Sequence, residues 1–165
     1  MQDLQTTAPG TAFDAREFRN TLGDFATGVT VIACDTTGQP QAMTANAFTS
    51  VSLDPPLVLV SVATRSSMLK RLNRGAPFSI SFLASPQEAI ARCYGSSRNQ
   101  PDALHWTERN ALPVIAGAAA HMGCAVKARH RHGDHMVIVA RVEWIARDQQ
   151  HAVLTFHRGR FGSAG

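Results

Sequence analysis

The most informative stretch of this chain is Met43–Ser67, with the sequence MTANAFTSVSLDPPLVLVSVATRSS. It opens with small hydroxyl and amide side chains, passes through a proline pair into the apolar run Leu57–Ala63, and ends on Arg65-Ser66-Ser67. A short apolar run bounded by turn residues predicts a strand whose two faces are both covered. Together these parts predict a shelf for a flat, polar-edged ring beside an anchor for a phosphate, as a flavin would require.

A polar group lies at the start of this stretch. On an extended strand, Thr44, Asn46 and Phe48 would share one face. The small residues Ala45 and Ala47 would let a planar ring approach the main chain, whose amides could bond the polar edge of the ring together with the Asn46 carboxamide. The alternative is a hairpin strand with one solvent-exposed face, on which such residues need no ligand.

A second polar group is Arg65-Ser66-Ser67, which opens a helix predicted over Ser66–Arg74. Hydroxyls and free amides at the start of a helix, with a guanidinium beside them, are suited to a phosphate. The alternative is plain N-capping of the helix by Ser66 or Ser67.

Three histidines, His130, His132 and His135, lie close together around Gly133-Asp134. A zinc site would need such ligands and a fourth, but no H-E-x-x-H motif is present. A hairpin turn with solvated histidines is the commoner interpretation, and His135 could then point back over a pocket.

A basic group lies near the C-terminus, in His157–Phe161. Gly159 allows close backbone approach, and the guanidiniums of Arg158 and Arg160 could bind a pyrophosphate. Phe161 could stack on a ring. The alternative is a basic, fraying chain end.

Composition restricts the class of protein. The 165 residues are predicted to form one domain, residues 13–165, after a flexible tail over residues 1–12. A net charge of +4 and a pI near 9.5 favour anionic partners, which nucleotides satisfy as well as nucleic acids do. The widely spaced Cys34, Cys93 and Cys124 predict small buried residues in a reducing compartment. Because the sequence shows neither a signal peptide nor a long apolar run, a cytoplasmic location without membrane contact is expected.

Short strands dominate the predicted secondary structure. They are expected over residues 28–34, 41–48, 57–63, 78–83, 118–131, 135–147 and 152–157. Helices are expected after an Asp14 N-cap with a Phe13–Phe18 staple, over Ser66–Arg74, and from a Ser85 N-cap with Glu88 at N3 to Tyr94. The polar residues 95–111 show no clear period. The absence of βαβ alternation favours an antiparallel barrel of six to seven strands.

The stretch MTANAFTSVSLDPPLVLVSVATRSS, followed by GDH at 133–135 and RGRFG at 158–162, resembles the flavin reductase-like family. These are the small reductase components of two-component flavin monooxygenases. GVTVIA at 28–33 and ALPVIAGAAAHMGCAV at 111–126 also lie where motifs of that family fall. The resemblance implies a mainly β, Greek-key split β-barrel with a few short flanking helices. It further implies binding of FMN or FAD, hydride transfer from NADH or NADPH, a homodimer, and a separate oxygenase partner.

The resemblance also implies which residues contact each ligand. The flavin-binding positions would be Thr44, Ala45, Asn46, Ala47, Ser50, Ser52, Ser61, Val62, Ala63, Thr64, Arg65, Ser66, Ser67, Met68 and Arg98. The nicotinamide nucleotide would face His135, Arg158, Gly159, Arg160 and Phe161. His135 is the candidate catalytic residue, expected to orient the nicotinamide. Because the family motif often has Tyr where this chain has Phe161, stacking is expected there without a phenolic hydrogen bond. No metal is expected.

Two other hypotheses are compatible with the sequence. A flavin-binding barrel without NAD(P)H turnover would serve electron transfer or storage. A basic barrel could instead bind single-stranded nucleic acid through stacking aromatics and basic grooves. Aromatic residues make up only 7% of this chain, and the basic residues do not alternate with them, so binding of nucleic acid is not expected.

Overall fold

A computed structural model describes residues 12–34, 40–95, 106–148 and 151–165, and also Gly10. More than half of these residues lie in strands. The strands are β1 (Thr27–Gly28), β2 (Thr30–Cys34), β3 (Gln41–Ala45), β4 (Phe48–Leu53), β5 (Pro56–Ala63), β6 (Pro77–Phe82), β7 (Trp106–Arg109), β8 (Leu112–Ile115), β9 (Ala120–His132), β10 (His135–Arg147), β11 (Val153–His157) and β12 (Arg160–Ala164). The helices are α1 (Ala15–Gly23) and α2 (Glu88–Gly95), with single 3-10 turns at Ser67–Lys70 and Ser85–Gln87.

The central feature is an antiparallel sheet that curls back on itself. Seven strands lie in the order β3–β2–β6–β9–β10–β5–β4. The two edge strands, β3 and β4, follow each other in the chain and are separated only by Asn46 and Ala47. There the Ala47 carbonyl accepts a hydrogen bond from the Ser61 amide of β5 at 3.0 Å. In the part of the chain that the structure describes, β3 forms a ladder with β2 alone, so the barrel is split along this seam and the predicted fold is confirmed.

Apolar residues of the seven-stranded sheet fill the barrel. Val58, Val60 and Val62 of β5 are buried and pack with Phe78 of β6 and Ile138 of β10. The intervening residues of β5 are only half-buried. The prediction that both faces of this strand are covered was therefore wrong for the second face, because that face of a barrel wall points away from the interior.

The predicted strand over residues 41–48 breaks in the middle. β3 ends at Ala45, and the Phe48 amide donates to the Asn46 carbonyl at 2.9 Å, which turns the chain tightly into β4. Phe48 then packs edge-on against Phe82, with ring centroids 5.0 Å apart. Phe48 therefore does not share a face with Thr44 and Asn46, contrary to the prediction, whereas Thr44 and Asn46 line the same cavity. The chain must turn here because it crosses from one edge of the sheet to the other.

Two predicted helices begin or end elsewhere. The helix expected over Ser66–Arg74 is a single 3-10 turn, Ser67–Lys70. At the next helix, the Gln87 side chain accepts from the Ala84 amide at 2.9 Å, so the cap lies one residue before the predicted Ser85. Gln87 therefore has the capping role that was predicted for Glu88, and the Glu88 carboxylate pairs with Arg92.

Four strands were not predicted, namely β4, β7, β8 and β12. β7 and β8 form a hairpin that begins within the polar residues 95–111 and ends after them, at Ile115. Its turn holds Asn110 and Ala111 at φ +47° and +59°. Alanine seldom adopts this conformation, so the turn gave no sequence signal. β12 pairs with β11 through a turn at Arg158-Gly159, with φ +48° and +76°. The basic group near the C-terminus is thus a hairpin rather than a fraying end. Residues 96–105 lie outside the described ranges.

The start of the described chain matches the prediction. Asp14 caps α1 by accepting a hydrogen bond from the Arg16 amide. The rings of Phe13 and Phe18 lie 5.2 Å apart, as a hydrophobic staple requires. The predicted tail, apart from Gly10 and Ala12, lies outside the described residues. None of the described helices is long and apolar enough to cross a membrane.

The long β9–β10 hairpin was predicted, and one glycine in it is required by packing. Gly123 pairs with Trp144, beside an irregularity in the register between Val142 and Trp144. A Cβ atom on Gly123 would lie 2.0 Å from the Trp144 Nε1 atom. The indole therefore occupies the space that any other side chain at this position would need.

Gly123→Ala is expected to destabilise the protein by about 1–3 kcal/mol, because the methyl group forces the Trp144 ring out of its site. Urea denaturation followed by tryptophan fluorescence measures the change. Gly28→Ala is the matched control, since nothing lies within 4 Å of its added Cβ. Equal unfolding midpoints for Gly123→Ala and wild type would contradict the packing described.

Buried serines tie the β7–β8 hairpin to the barrel. The Ser79 hydroxyl donates to the Pro113 carbonyl, and the Ser81 hydroxyl accepts from the Ile115 amide at 3.0 Å. His121 joins this network, with its Nδ1 atom 3.2 Å from the Ser81 Oγ atom. Burial, assisted by the positive charge of Arg109, lowers the pKa of His121 from its usual 6.5. The ring is therefore held neutral in the folded protein.

Acid is expected to destabilise the fold through His121. As the pH falls through its ordinary pKa, the unfolded chain binds a proton at this position that the folded chain does not bind, so the free energy of unfolding decreases. His121→Gln removes this proton uptake, and its loss of stability between about pH 7.5 and about pH 5.5 should be smaller than that of wild type. His132→Gln, at an exposed position, serves as the control and should keep the wild-type slope. Identical slopes for His121→Gln and wild type in urea titrations would refute the argument.

Candidate functional site

Two cavities adjoin residues predicted from the sequence. The first, the α2 cavity, has a volume of about 450 Å³ and is lined by Val29, Thr44, Asn46, Ala91, Arg92, Gly95, Phe156 and Phe161. The second, the serine cavity, has a volume of about 510 Å³ and is lined by Thr64, Arg65, Ser66, Ser67, Leu69, Lys70, Asn73 and Arg129. The two cavities share no lining residue.

Strand β3 runs between these cavities. Its Gln41 side chain donates to the Ser67 hydroxyl at 2.7 Å, on the side of the serine cavity. Its Thr44 hydroxyl donates to the Ala91 carbonyl of α2 at 2.8 Å, on the side of the α2 cavity. Successive side chains of a strand point to opposite faces, at ~3.3 Å per residue, so the two contacts are separated by about 10 Å along the strand. Because β3 is an edge strand, one row of its main-chain N–H and C=O groups is not used by the sheet.

The serine cavity carries positive charge. Arg65, Lys70 and Arg129 line it, and none of its lining residues is acidic. The Arg129 guanidinium is held by the Asn73 side-chain oxygen at 2.7 Å. The Ser66 hydroxyl accepts from the Met68 amide at 3.3 Å, so the capping role left open by the sequence is present, although its helix is only one 3-10 turn. Hydroxyls and cations together make this cavity suited to an anion.

His135 lies beside the serine cavity. It pairs in register with Ala63, and its Nδ1 atom is 2.7 Å from the Asp134 carboxylate. The Asp134 carbonyl in turn accepts from the Thr64 amide at 2.8 Å. The hydrogen bond from His135, and to a smaller extent the charge of Arg65, hold the pKa of the Asp134 carboxyl below its usual range. The structure thus brings His135 together with Thr64 and Arg65, whereas Phe161 lines the other cavity.

Two residues of the RGRFG segment have different surroundings: Arg158 makes a structural contact, and Phe161 lines the α2 cavity. The Arg158 amide donates to the Gly23 carbonyl at 2.9 Å, and its guanidinium pairs with Asp24, so Arg158 fastens the end of α1. Phe161 packs against Phe156, with centroids 5.1 Å apart, and both rings line the α2 cavity. Ligand contacts by Arg158, Gly159, Arg160 and Phe161 remain predictions.

The other predicted flavin-binding residues lie at several levels of burial. Val62 and Met68 are buried in the barrel core, so only their main chains can contact a ligand. Ala45 is also buried, and the Ala47 carbonyl is engaged by Ser61. Ser50 and Ser52 lie on β4 and line neither cavity. Arg98 lies outside the described residues.

Sequence reasoning missed Arg92. Its guanidinium lies 2.6 Å from the Glu88 carboxylate and 4.8 Å from the centroid of the Phe161 ring. The spacing of Glu88 and Arg92 is that of an ordinary i,i+4 pair on an exposed helix face. Nothing in that spacing indicates a cavity, which appears only when β12 brings Phe161 against α2.

Cysteine thiols and groups of metal-ligating side chains can also mark a reactive site. Burial raises the pKa of the Cys34 thiol to about 11 and that of the Cys124 thiol to about 12, so neither is a nucleophile near neutral pH. Cys93 is only half-buried, contrary to the prediction. Within the described ranges, no three His, Cys, Asp or Glu side chains are grouped so as to hold a metal ion.

Comparison with known proteins identifies close relatives. A profile of the family described as "Flavin reductase like domain" matches residues 22–165. The chain is 42% identical over 148 residues to the "NADH-dependent flavin reductase" of a Rhodococcus species. This match covers 88% of this chain and 84% of that protein. It is 34% identical over 154 residues to "Flavin-dependent monooxygenase, reductase subunit HsaB" of Rhodococcus jostii strain RHA1, over 91% of this chain and 78% of that protein.

A solved structure agrees with these relatives. The fold superimposes on the NADH:FAD oxidoreductase SgcE6 of Streptomyces globisporus C-1027, solved in complex with NAD and FAD fragments, with a TM-score of 0.87. The two chains are 36% identical, and the match covers 98% of each. The similarity therefore extends over the whole barrel and both cavities.

Proposed function

The chain belongs to the flavin reductase-like domain family, and we propose that it transfers a hydride from NADH or NADPH to FMN or FAD. Relatives named as reductase subunits of flavin-dependent monooxygenases match most of the chain. The reduced flavin is therefore the product that a separate oxygenase component receives.

One arrangement supports this function most directly: edge strand β3 between the α2 cavity and the cationic serine cavity. A flavin nucleotide combines a flat ring that has a polar edge with a phosphorylated tail. The unused main-chain groups of β3 and the Asn46 carboxamide match the polar edge of the ring. The hydroxyls and cations of the serine cavity match the phosphate, so the residues present fit this ligand.

In this proposal the flavin phosphate is bound by Arg65 with the hydroxyls of Ser66 and Ser67. A hydrogen bond to a charged group contributes about 1.5–3 kcal/mol, more than any neutral contact in the cavity. Lys70 and Arg129 add positive charge without needing direct contact. The predicted contacts of Ser50, Ser52, Ser61 and Thr64 with the flavin belong to the same proposal.

The chain acts mainly by positioning. When bound, the flavin accepts the hydride, and the reactivity is its own. Phe161 supplies a stacking surface for the nicotinamide nucleotide, while Arg160 lies beside it in the sequence as a candidate phosphate contact. The proposed role of His135 in orienting the nicotinamide would require that ring to reach the serine cavity, because His135 adjoins this cavity and does not line the α2 cavity. Holding two reactants in register can lower the barrier by about 7–11 kcal/mol, so no general acid or base is required.

A homodimer is proposed because apolar side chains remain exposed on the barrel. Leu53 and Val51 on edge strand β4 are 94% and 47% exposed, and Ile145 on β10 is 66% exposed. Exposed apolar groups of this kind favour an interface with a second chain. A sedimentation-equilibrium mass equal to one chain would contradict this assembly.

A cytoplasmic location is proposed from cysteine chemistry. Cys34 and Cys124 are buried thiols that form no disulfide. Such thiols suit a reducing compartment, where nicotinamide nucleotides are also present. Residues 13–165 are proposed to form the catalytic domain.

The purified protein should oxidise NADH or NADPH continuously when FMN or FAD is in excess. Absorbance at 340 nm measures this consumption, and flavin fluorescence measures binding independently. Binding of flavin with no loss of NADH or NADPH would instead favour a storage or electron-transfer barrel. No binding of flavin at all would overturn the assignment.

Arg65→Ala is expected to weaken FMN binding by roughly 10- to 100-fold, because one charge-assisted hydrogen bond to the phosphate is lost. Riboflavin has no phosphate, so its affinity should not change. Fluorescence titration with both flavins gives the comparison, with Arg74→Ala as the control because Arg74 lines neither cavity. An equal loss for FMN and riboflavin would place the phosphate elsewhere.

A further inference from the structure

Arg92 is held in a defined position at the α2 cavity. Its Nε atom donates to the Glu88 carboxylate at 2.7 Å, and its terminal nitrogen lies 2.6 Å from the same oxygen. Its guanidinium carbon is 4.8 Å from the Phe161 centroid, so the cation covers one face of this ring. The side chain is nevertheless 62% exposed, so a ligand can reach its guanidinium.

A helix-stabilising role alone does not account for this arrangement. An exposed i,i+4 ion pair contributes about 0.3–0.5 kcal/mol and requires no contact with another element. Arg92 instead reaches from α2 to β12 and lies on an aromatic ring that lines a cavity. Among the described residues that line this cavity it is the only charged one, since the others are apolar, small or neutral polar.

A ligand ring that stacks on Phe161 competes with the guanidinium for the ring face. Because α2 fixes the backbone of Arg92, the guanidinium can leave the ring only by rotating about its side chain, and it stays at the cavity mouth. A nicotinamide dinucleotide carries phosphate groups next to its rings. A planar guanidinium beside the ring site can form two parallel hydrogen bonds with such a phosphate.

We infer that Arg92 is a phosphate-binding residue for the nicotinamide dinucleotide in the α2 cavity, and that Glu88 competes with the phosphate for it. This inference rests on the proposed function, since it assigns one more residue to the same reaction. It also gives the hydride donor its own cation, separate from Arg65, Lys70 and Arg129 of the serine cavity.

The test compares variants at the two members of the pair. Arg92→Ala should raise the KM for NADH and the Kd for NAD+ by about 10-fold or more, because a charge-assisted hydrogen bond to phosphate is lost. The KM for flavin and kcat at saturating NADH should stay close to wild type. Arg92→Lys should restore binding in part, since an ammonium keeps the charge but not the two parallel bonds.

Glu88→Gln distinguishes binding from a structural role. It removes the competing carboxylate, so the Kd for NAD+ should fall or stay unchanged. If the pair served only to stabilise α2, Glu88→Gln and Arg92→Ala would act in the same direction. Arg141→Ala is the matched control, because Arg141 forms an equally exposed pair with Glu143 and lines none of the cavities described.

Three measurements complete the experiment: calorimetric titration of each variant with NAD+, steady-state kinetics with NADH and FMN, and thermal unfolding to verify that each variant is folded. An unchanged Kd in Arg92→Ala, or a raised Kd in both Arg92→Ala and Glu88→Gln, would overturn the inference. If wild type fails to oxidise NADH with any flavin, the proposed function fails. If wild type oxidises NADH but the Arg92 variants leave the Kd for NAD+ unchanged, only the inference about Arg92 fails.

Discussion

The short connection Asn46-Ala47 joins the two ends of the seven-stranded sheet, and its Ala47 carbonyl accepts a hydrogen bond from the Ser61 amide that continues the β4–β5 ladder. Because β3 and β4 are consecutive in the chain and only two residues separate them, the two edges of the sheet must meet at this connection. Closing the barrel at this one point leaves the rest of β3 unpaired on its outer side. The closure therefore creates the split, and the split provides the main-chain surface and the two cavities on which the proposed chemistry depends.

The two cavities differ in the charge of the residues that line them. The serine cavity combines hydroxyls with three cations and no acid, so it favours a phosphate. The α2 cavity combines aromatic rings with one arginine, whose charge is partly offset by Glu88. Each cavity thus suits a different nucleotide group, and the Gln41 and Thr44 contacts of β3 on the two sides lie about 10 Å apart along the strand. Hydride transfer requires the two rings to be held together, so positioning rather than acid–base chemistry carries the proposed reaction.

Local patterns in the sequence were sufficient for several of the regular elements. Three features depend only on residues that are close together in the chain. They are the Asp14 cap with its aromatic staple, the apolar run Leu57–Ala63 and the long hairpin around Gly133. The turn at Asn46-Ala47, the hairpin turn at Asn110-Ala111 and the shortened helix after Ser66 were not predicted. These features depend on where the chain must go next in space, and no local residue preference records that requirement.

The amino-acid sequence by itself determined the antiparallel strands, the family resemblance and the two groups of polar residues at Thr44–Asn46 and Arg65–Ser67. Tertiary structure alone decided that these groups face opposite sides of β3, that His135 adjoins Thr64, and that Arg158 holds α1. It alone also placed Arg92 on Phe161. The physical reason is that strand alternation and helix capping act between neighbours in the chain, whereas a cavity is formed by side chains that only folding brings together.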